Sequence, residues 1–521
     1  MATSSDYHQT LISNLKQLLA QLPDVENVEE IQTHISTVLL AGHFAYKIKK
    51  PLDLGFLDFS TVERRRHCSH EEIRLNGRLA PQIYLDVVEI RGSAESPQLD
   101  GDGEVIDYAV RMQRFSQDDL LSRKVAELRL ETVSAIADRL VQFHREIAVA
   151  PEATEYGTPE TAVFPMRQNF EQIRELVDND EALQRLAVLE SWTEERYRQL
   201  YPLMEKRKAD GFIRECHGDL HLGNIAQVEG EVVIFDGIEF NPSLSWIDTI
   251  SELAFLLMDL EERGRADLSN SVLNQYMQGS GDYAALPLLR FYQVYRAMVR
   301  AKISVIRLSQ PNLEEAEKQA VYAAFFGYLG RAEAYTTTQA QGVVLTFGVS
   351  GAGKSTVTER LIQQLPAVRI RSDVERKRLA GLDSDGRSES GLGEGIYTAE
   401  FSARTYAHLV ELTMGINAAG FIAVVDATFL KQNQRALFTD LAQRLDVPAL
   451  ILDFQVAEDE LRRRVAARSL SGGDASEADL RVLEAQLASV EPLTAAERQL
   501  RVVINQQGDL PLSQIRERLG E

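Results

Sequence analysis

Leu11, Ile12, Leu15, Leu18 and Leu19 recur at the three- and four-residue spacing of a single helical face, so the chain opens on an amphipathic helix. The period then changes. Ala45-Tyr46-Lys47-Ile48-Lys49 alternates as a half-buried strand does, and Asp107–Met112 reads as another strand. Residues 126–205 and 247–335 return to helical spacing, with one short β segment, Val232–Phe235, between them. Beyond residue 340, apolar runs at 343–347, 367–370, 421–425, 449–454 and 501–504 alternate with helical stretches. That alternation implies a parallel α/β sheet covered on both faces. The polar, aperiodic stretch 335–342 separates the two regimes. It predicts one domain over 1–338, with a small β-rich lobe at about 30–115 and a helical lobe at about 116–335. A second domain follows over 339–521. The expected fold class is multidomain, α+β followed by α/β.

A chain of 521 residues is too long for one core, in keeping with this division. Its formal net charge is −22, unevenly spread: 21 Lys+Arg against 25 Asp+Glu from residue 341 onward, and 35 against 53 before it. Such a surface repels polyphosphate backbones, which argues against long nucleic acid or anionic membrane as a partner. The longest apolar runs fall far short of the ~20 residues that span a bilayer. The first residues lack the basic and apolar pattern of a signal peptide. Two cysteines, Cys68 and Cys216, cannot build a disulfide framework. A soluble, cytoplasmic protein is expected.

Chemistry enters with Gly348-Val349-Ser350-Gly351-Ala352-Gly353-Lys354-Ser355, a complete G-x-x-x-x-G-K-[ST] loop between an apolar strand and a helical run that begins Ser355-Thr356. Glycines let successive backbone N–H groups turn inward around a polyphosphate at a helix N-terminus. Lys354 is placed to reach the β- and γ-phosphates of ATP, and the Ser355 hydroxyl to ligate Mg²⁺. Asp373, at the end of the second strand, is a candidate base, and Arg376 shares its helical face. The alternative is a capped, solvated helix start. Asp426 ends the third strand as a Walker-B-type acid beside Mg²⁺ would. Arg464 and Arg468, four residues apart, are candidates to close over ATP phosphates, with a merely solvated basic face as the competing reading. The run Arg376-Lys377-Arg378 predicts an anionic acceptor, and the glycine-rich segment 381–397 reads either as a flap over it or as ordinary disorder.

With these residues, 343–510 resembles the small P-loop kinases that include polynucleotide 5′-kinases, zeta toxins and gluconate kinases. In that group an Asp-x-x-Arg after the second strand supplies the base and an acceptor-binding arginine. Asp373 and Arg376 match it, and Arg464 or Arg468 matches the lid arginine. The resemblance implies ATP-dependent phosphoryl transfer to a hydroxyl. It leaves a polynucleotide 5′-OH open beside a small anionic metabolite.

A second constellation stands at His217-Gly218-Asp219-Leu220-His221-Leu222-Gly223-Asn224, followed by Asp236 after a short apolar strand. Asp and Asn five residues apart, then a second Asp, is a kinase-type arrangement. The first Asp orients the attacking hydroxyl, and Asn224 and Asp236 hold Mg²⁺. Zinc is disfavoured, since Cys216, His217 and His221 have only His67-Cys68-Ser69-His70 as a distant second cluster. Residues 30–330 resemble the aminoglycoside phosphotransferase family, of protein-kinase-like fold, whose H-G-D-x-H-x-x-N motif is complete here. Asp248 and Glu252-Leu253-Ala254 resemble its trailing D-x-x-x-D-L-A, with Glu in place of the second Asp. The resemblance implies an ATP lysine at Lys47 or Lys49, paired with Glu72 or Glu71; Lys47 and Glu72 are preferred.

The joint layout resembles bacterial two-domain kinase-like proteins. The leading expectation is a bifunctional ATP- and Mg²⁺-dependent phosphotransferase acting on hydroxyls of small molecules. The alternatives are a single active P-loop kinase with a regulatory N-terminal half, and an ATP-gated interaction protein.

Overall fold

The computed structural model describes residues 4–55, 57–309, 313–337, 340–383, 394–471, 479–505 and 509–521. They gather into two compact units. The first comprises 1–128, 146–175 and 197–259, and the second 129–145, 176–196 and 260–521.

In the first unit, β1 (Val28–Gln32), β2 (Ser36–Ala41), β3 (Phe44–Lys49), β4 (Tyr84–Ser93), β5 (Ser96–Leu99) and β6 (Val105–Gln113) form one antiparallel sheet, ordered β1-β2-β3-β6-β4-β5. Alternation along β3 sends Tyr46 and Ile48 to one face, where Leu39 joins them against Leu11, Leu15 and Leu19 of the opening helix Ser4–Leu19. The same alternation turns Lys47 and Lys49 to the opposite face, both buried. Helix Val62–Asn76 answers them. Thr61 caps its start by accepting the Arg64 N–H. The buried Arg65 guanidinium ties the helix to β6 and its approach, donating to Asp107 at 2.8 Å and to the Phe59 carbonyl at 2.9 Å.

Four short strands complete this unit: β7 (Ile213–Glu215), β8 (Ile225–Val228), β9 (Glu231–Ile234) and β10 (Trp246–Asp248). β8 and β9 form a hairpin, and β10 pairs with β7. The loop carrying Asp219 and Asn224 thus runs between two pinned strands, and Asp236 follows β9 directly. Below them Arg207 donates two hydrogen bonds to Asp248, at 2.7 and 2.8 Å, with both groups buried.

The second unit holds β11 (Gly342–Phe347), β12 (Ala367–Arg371), β13 (Ile422–Asp426), β14 (Ala449–Phe454) and β15 (Arg501–Ile504), all parallel, in the order β12-β13-β11-β14-β15. The five apolar runs of the sequence are these five strands, because a parallel sheet covered on both faces needs continuous Val, Ile and Leu. The carboxyl ends of β11 and β13, where open α/β sheets bind ligands, carry the phosphate loop and Asp426.

β12 is an edge strand, and helix Ala266–Ser280 lies along it. The Asn274 side chain donates to the Ala367 carbonyl at 2.8 Å and accepts the Arg369 N–H at 2.7 Å, as a neighbouring strand would. The expected boundary at 338/339 therefore lies inside this compact unit.

Candidate active sites

In the first unit the candidate residues converge on Glu72. Lys47 Nζ donates to Glu72 at 2.7 Å and to Asp236 at 2.5 Å. Lys49 Nζ donates to the other Glu72 oxygen at 2.6 Å and also to Glu239. Both lysines therefore share one carboxylate. Glu71 turns away, to Arg74. Burial alone would raise the Glu72 pKa, but Lys47 and Lys49 outweigh it and hold the carboxyl down to about 2. Burial would lower Lys47, and Asp236 and Glu72 instead hold it well above the usual lysine value. Glu239 is pushed up by burial, against the pull of Lys49.

The loop is equally tied. Asn224 Nδ2 donates to the Asp219 carboxylate at 3.0 Å and to its carbonyl at 2.9 Å. Burial lowers the His217 pKa, and its ring bonds the Phe235 carbonyl at 2.9 Å. Gly237 packs so closely on this ring that an added Cβ would stand 3.1 Å from His217 Cδ2. Asp236 adopts φ 63°, a left-handed conformation that an aspartate tolerates. It is held there by its amide donating to the Tyr84 hydroxyl at 3.0 Å, while the Gly237 amide donates to Asn76 at 2.7 Å. Glu252, the departure from the family motif, accepts the Gly218 N–H at 2.8 Å, and Asp259 accepts that of Leu222 at 2.9 Å. Asp259 lay outside the sequence motifs. Ile31, Leu40, Gly42, Phe115 and Gln117 line a cleft of about 540 Å³ between the sheet and the chain leaving β6.

In the second unit, Gly351 and Gly353 take φ 83° and 89°, which directs the loop's amides inward before the helix Lys354–Gln364. Gly348 packs where an added Cβ would stand 3.1 Å from Phe454 Cβ. The Ser350 N–H is met by the Gln486 side-chain oxygen at 2.7 Å, and Lys354 Nζ donates to the Val349 carbonyl at 2.9 Å. Asp426 ends β13 with Oδ2 3.4 Å from the Thr358 hydroxyl. Asp373 stands within electrostatic reach of Asp426, Lys354, Arg371 and Arg376, and burial raises its pKa, with Asp426 adding to the rise. Arg464 donates to Glu460 at 2.6 Å, and its Nη1 would lie 3.6 Å from a Cβ on Gly353. Arg468 lies in the Glu458–Ser471 helix, but its side chain is outside the described residues. Thr356 lies in the first turn of the loop's helix, after Ser355. Beside the loop, Val349, Ala352, Leu430, Phe454, Leu487 and Val490 line an apolar pocket of about 390 Å³.

One expectation needs correction. Arg376, Lys377 and Arg378 do not form a free basic cluster. Lys377 is 1% exposed, and Arg378 turns to Glu375 and the Gln278 carbonyl. Helical geometry separates them onto different faces. Arg376 donates to the Ile396 carbonyl at 2.7 Å and Ser402 at 3.1 Å, over the Tyr397 ring. Its buried Nε has no hydrogen-bond partner among the described residues. The expected flap at 381–397 falls largely on residues 384–393, outside the described residues.

The chain thus presents two candidate sites, a buried lysine–glutamate pair beside an Asp–Asn loop in the first unit and a P-loop on a parallel sheet in the second. Residues 343–493 match the family model described as an AAA domain. Among solved structures, the amicoumacin kinase hAmiN is similar at 12% identity and a TM-score of 0.40, over 62% of this chain and 96% of that one. A gluconokinase from Sinorhizobium meliloti is similar at 20% identity and a TM-score of 0.24, over 35% of this chain and 90% of that one. The uncharacterized proteins Rv2004c of Mycobacterium tuberculosis and Mb2027c of Mycobacterium bovis are each 30% identical over 449 residues, 85% of this chain and 87% of theirs. The chain belongs to the family of these mycobacterial proteins. No helix among its described residues is long and apolar enough to cross a membrane.

Proposed function

We propose that the chain is a bifunctional ATP-dependent phosphotransferase, with two separate sites that each transfer the γ-phosphate of ATP to a small-molecule hydroxyl. The observation that carries this reading is that both sites keep an acid for the acceptor hydroxyl together with the cations and metal-holding groups for ATP. At the first, Lys47, kept in place by Glu72, grips the nucleotide phosphates. Asn224 and Asp236 are the residues that would hold Mg²⁺, and Asp219 orients the acceptor hydroxyl and takes its proton. At the second, the loop amides, Lys354 and Arg464 hold the phosphates, and Ser355 and Asp426 would hold Mg²⁺. There Asp373 takes the proton, and the unpartnered Nε of Arg376 receives an oxygen of the acceptor. The metal, when bound, neutralises charge on the β- and γ-phosphates. The apolar pocket beside the loop suits a nucleobase, as does the cleft after β6.

Isothermal titration of the full chain with MgATP tests the reading. Two sites are expected, one lost in Lys354→Ala and the other in Asp236→Ala. A single site, lost in either variant alone, would contradict it.

A further inference from the structure

Helix Ala266–Ser280 and the turn Tyr283–Ala285 contain none of the residues assigned above, yet they hold the strand and helix that present Asp373 and Arg376. Asn270, Asn274 and Gln278 are spaced four apart and so stand on one face of their helix. Asn270 donates to the Leu365 carbonyl at 3.1 Å, just before β12. Asn274 makes its two bonds to β12 itself. The Gln278 carbonyl accepts from Arg378 in the next helix, Ser372–Leu379. Beyond it, the Tyr283 hydroxyl donates to Glu375 at 3.3 Å. Glu375 is 1% exposed; its Oε1 also accepts from Arg378, while Oε2 lies 3.4 Å from His408 Nε2 and has no hydrogen-bond partner among the described residues. The Ser372–Leu379 helix thus has two working faces. Asp373 and Arg376 stand on one, while Glu375 and Arg378 anchor the other.

We infer that the 270–283 segment is a positioning element of the P-loop site, with Tyr283 setting, through Glu375, the orientation of the helix that carries Asp373 and Arg376. The inference rests on the reading of that site as a kinase. A helix of eight residues has little rigidity of its own, so the direction of its active face follows from what grips its rear. The grip on Glu375 falls on one oxygen, where Tyr283 and Arg378 both donate to Oε1, and a buried carboxylate losing one of these donors must rely on the other or move. Phosphate binding by the loop does not pass through this helix. Weakening the grip therefore depresses turnover and spares nucleotide affinity.

The experiment uses the full chain in an Asp219→Asn background, so that ADP release reports the P-loop site, with Lys354→Ala as the blank. Tyr283→Phe is expected to lower kcat roughly tenfold, the scale of one hydrogen bond to a buried charge, with KM for ATP within about twofold. Arg378→Lys, which keeps the charge beside Glu375 and loses the reach to Gln278, is expected to fall between Tyr283→Phe and the parent. A fall in melting temperature with kcat unchanged would make the segment merely structural and overturn the inference. Asp373→Asn separates the two claims. Unaltered ADP release in that variant defeats the kinase reading itself, whereas its loss together with an unaffected Tyr283→Phe defeats only the positioning role. Should the background release no ADP, hydrogen exchange over 372–379 carries the test. Faster exchange in Tyr283→Phe supports the inference, and unchanged exchange overturns it.

Discussion

At the P-loop, the groups proposed to face phosphate are consecutive residues, 348–355, on one strand–loop–helix turn. In the first unit, Lys47 meets Glu72 across 25 residues and Asp236 across 189. The P-loop site is set by local backbone geometry: two glycines at positive φ and a helix N-terminus. The site of the first unit exists only when a strand, a helix and a loop pack against one another. Its cost is a buried cluster of charges, Lys47, Lys49, Glu72 and Glu239, with the exposed Asp236 at its edge, that must stay balanced. A distributed site is therefore tied to the stability of its fold, while a loop site is not. The acceptor side of the P-loop unit is the exception, because Asp373 and Arg376 rely on a helix gripped by distant residues.

The contrast breaks most visibly at Lys49. Lys49→Met removes the cation that pairs Glu239 and the second oxygen of Glu72, leaving Lys47 on Glu72 and Asp236, and is expected to destabilise the chain by about 3–5 kcal/mol. Lys49→Met/Glu239→Gln should recover much of that in denaturant unfolding, since it removes both charges together. If the single variant is as stable as the parent, the network does not carry the fold.

Lys354→Ala is the mirror case. The loop's turnover should fall by roughly 10²–10³, the scale of losing one preorganised phosphate contact, with the melting temperature unchanged. A stability loss comparable to that of Lys49→Met would erase the distinction between the sites.

Asp373 sharpens it through pH. A general base works ionised, so turnover is lost as pH falls through its pKa. Burial and Asp426 raise that pKa, so the acid limb of kcat at the P-loop should lie above the ordinary aspartate value of about 3.9. A limb at or below that value would remove Asp373 from the role.

The smallest effect is expected at Gln486, whose side chain occupies the Ser350 amide. Gln486→Ala frees this donor for phosphate and should tighten nucleotide binding at the loop by roughly threefold, within the net value of one hydrogen bond. Unchanged affinity would mean that the Ser350 amide takes no part in holding phosphate.

What the sequence made legible follows the same division. The five parallel strands and the phosphate loop could be read directly, because continuous apolar runs and a contiguous glycine motif are local signals. The H-G-D-x-H-x-x-N loop was legible for the same reason. Alternation placed Lys47 and Lys49 on one face, but it could not show that Glu72 serves both. A run of three cations after Asp373 looked like a binding patch, because spacing along a short helix does not say which side chains the core absorbs. Gln486, Asn274 and Tyr283 belong to no motif. Each acts through a partner roughly 90 to 140 residues away, and only tertiary packing brings them together.

The central claim, two independent phosphotransferase sites in one chain, is tested most directly by product labelling. The full-length protein is incubated with γ-labelled ATP and a small-molecule extract, alongside Asp219→Asn, Asp373→Asn and the double variant. Two sets of labelled products are expected, each lost in one single variant and both lost in the double. If either single variant removes all labelled products, or Asp219→Asn removes none, the chain does not carry two catalytic sites.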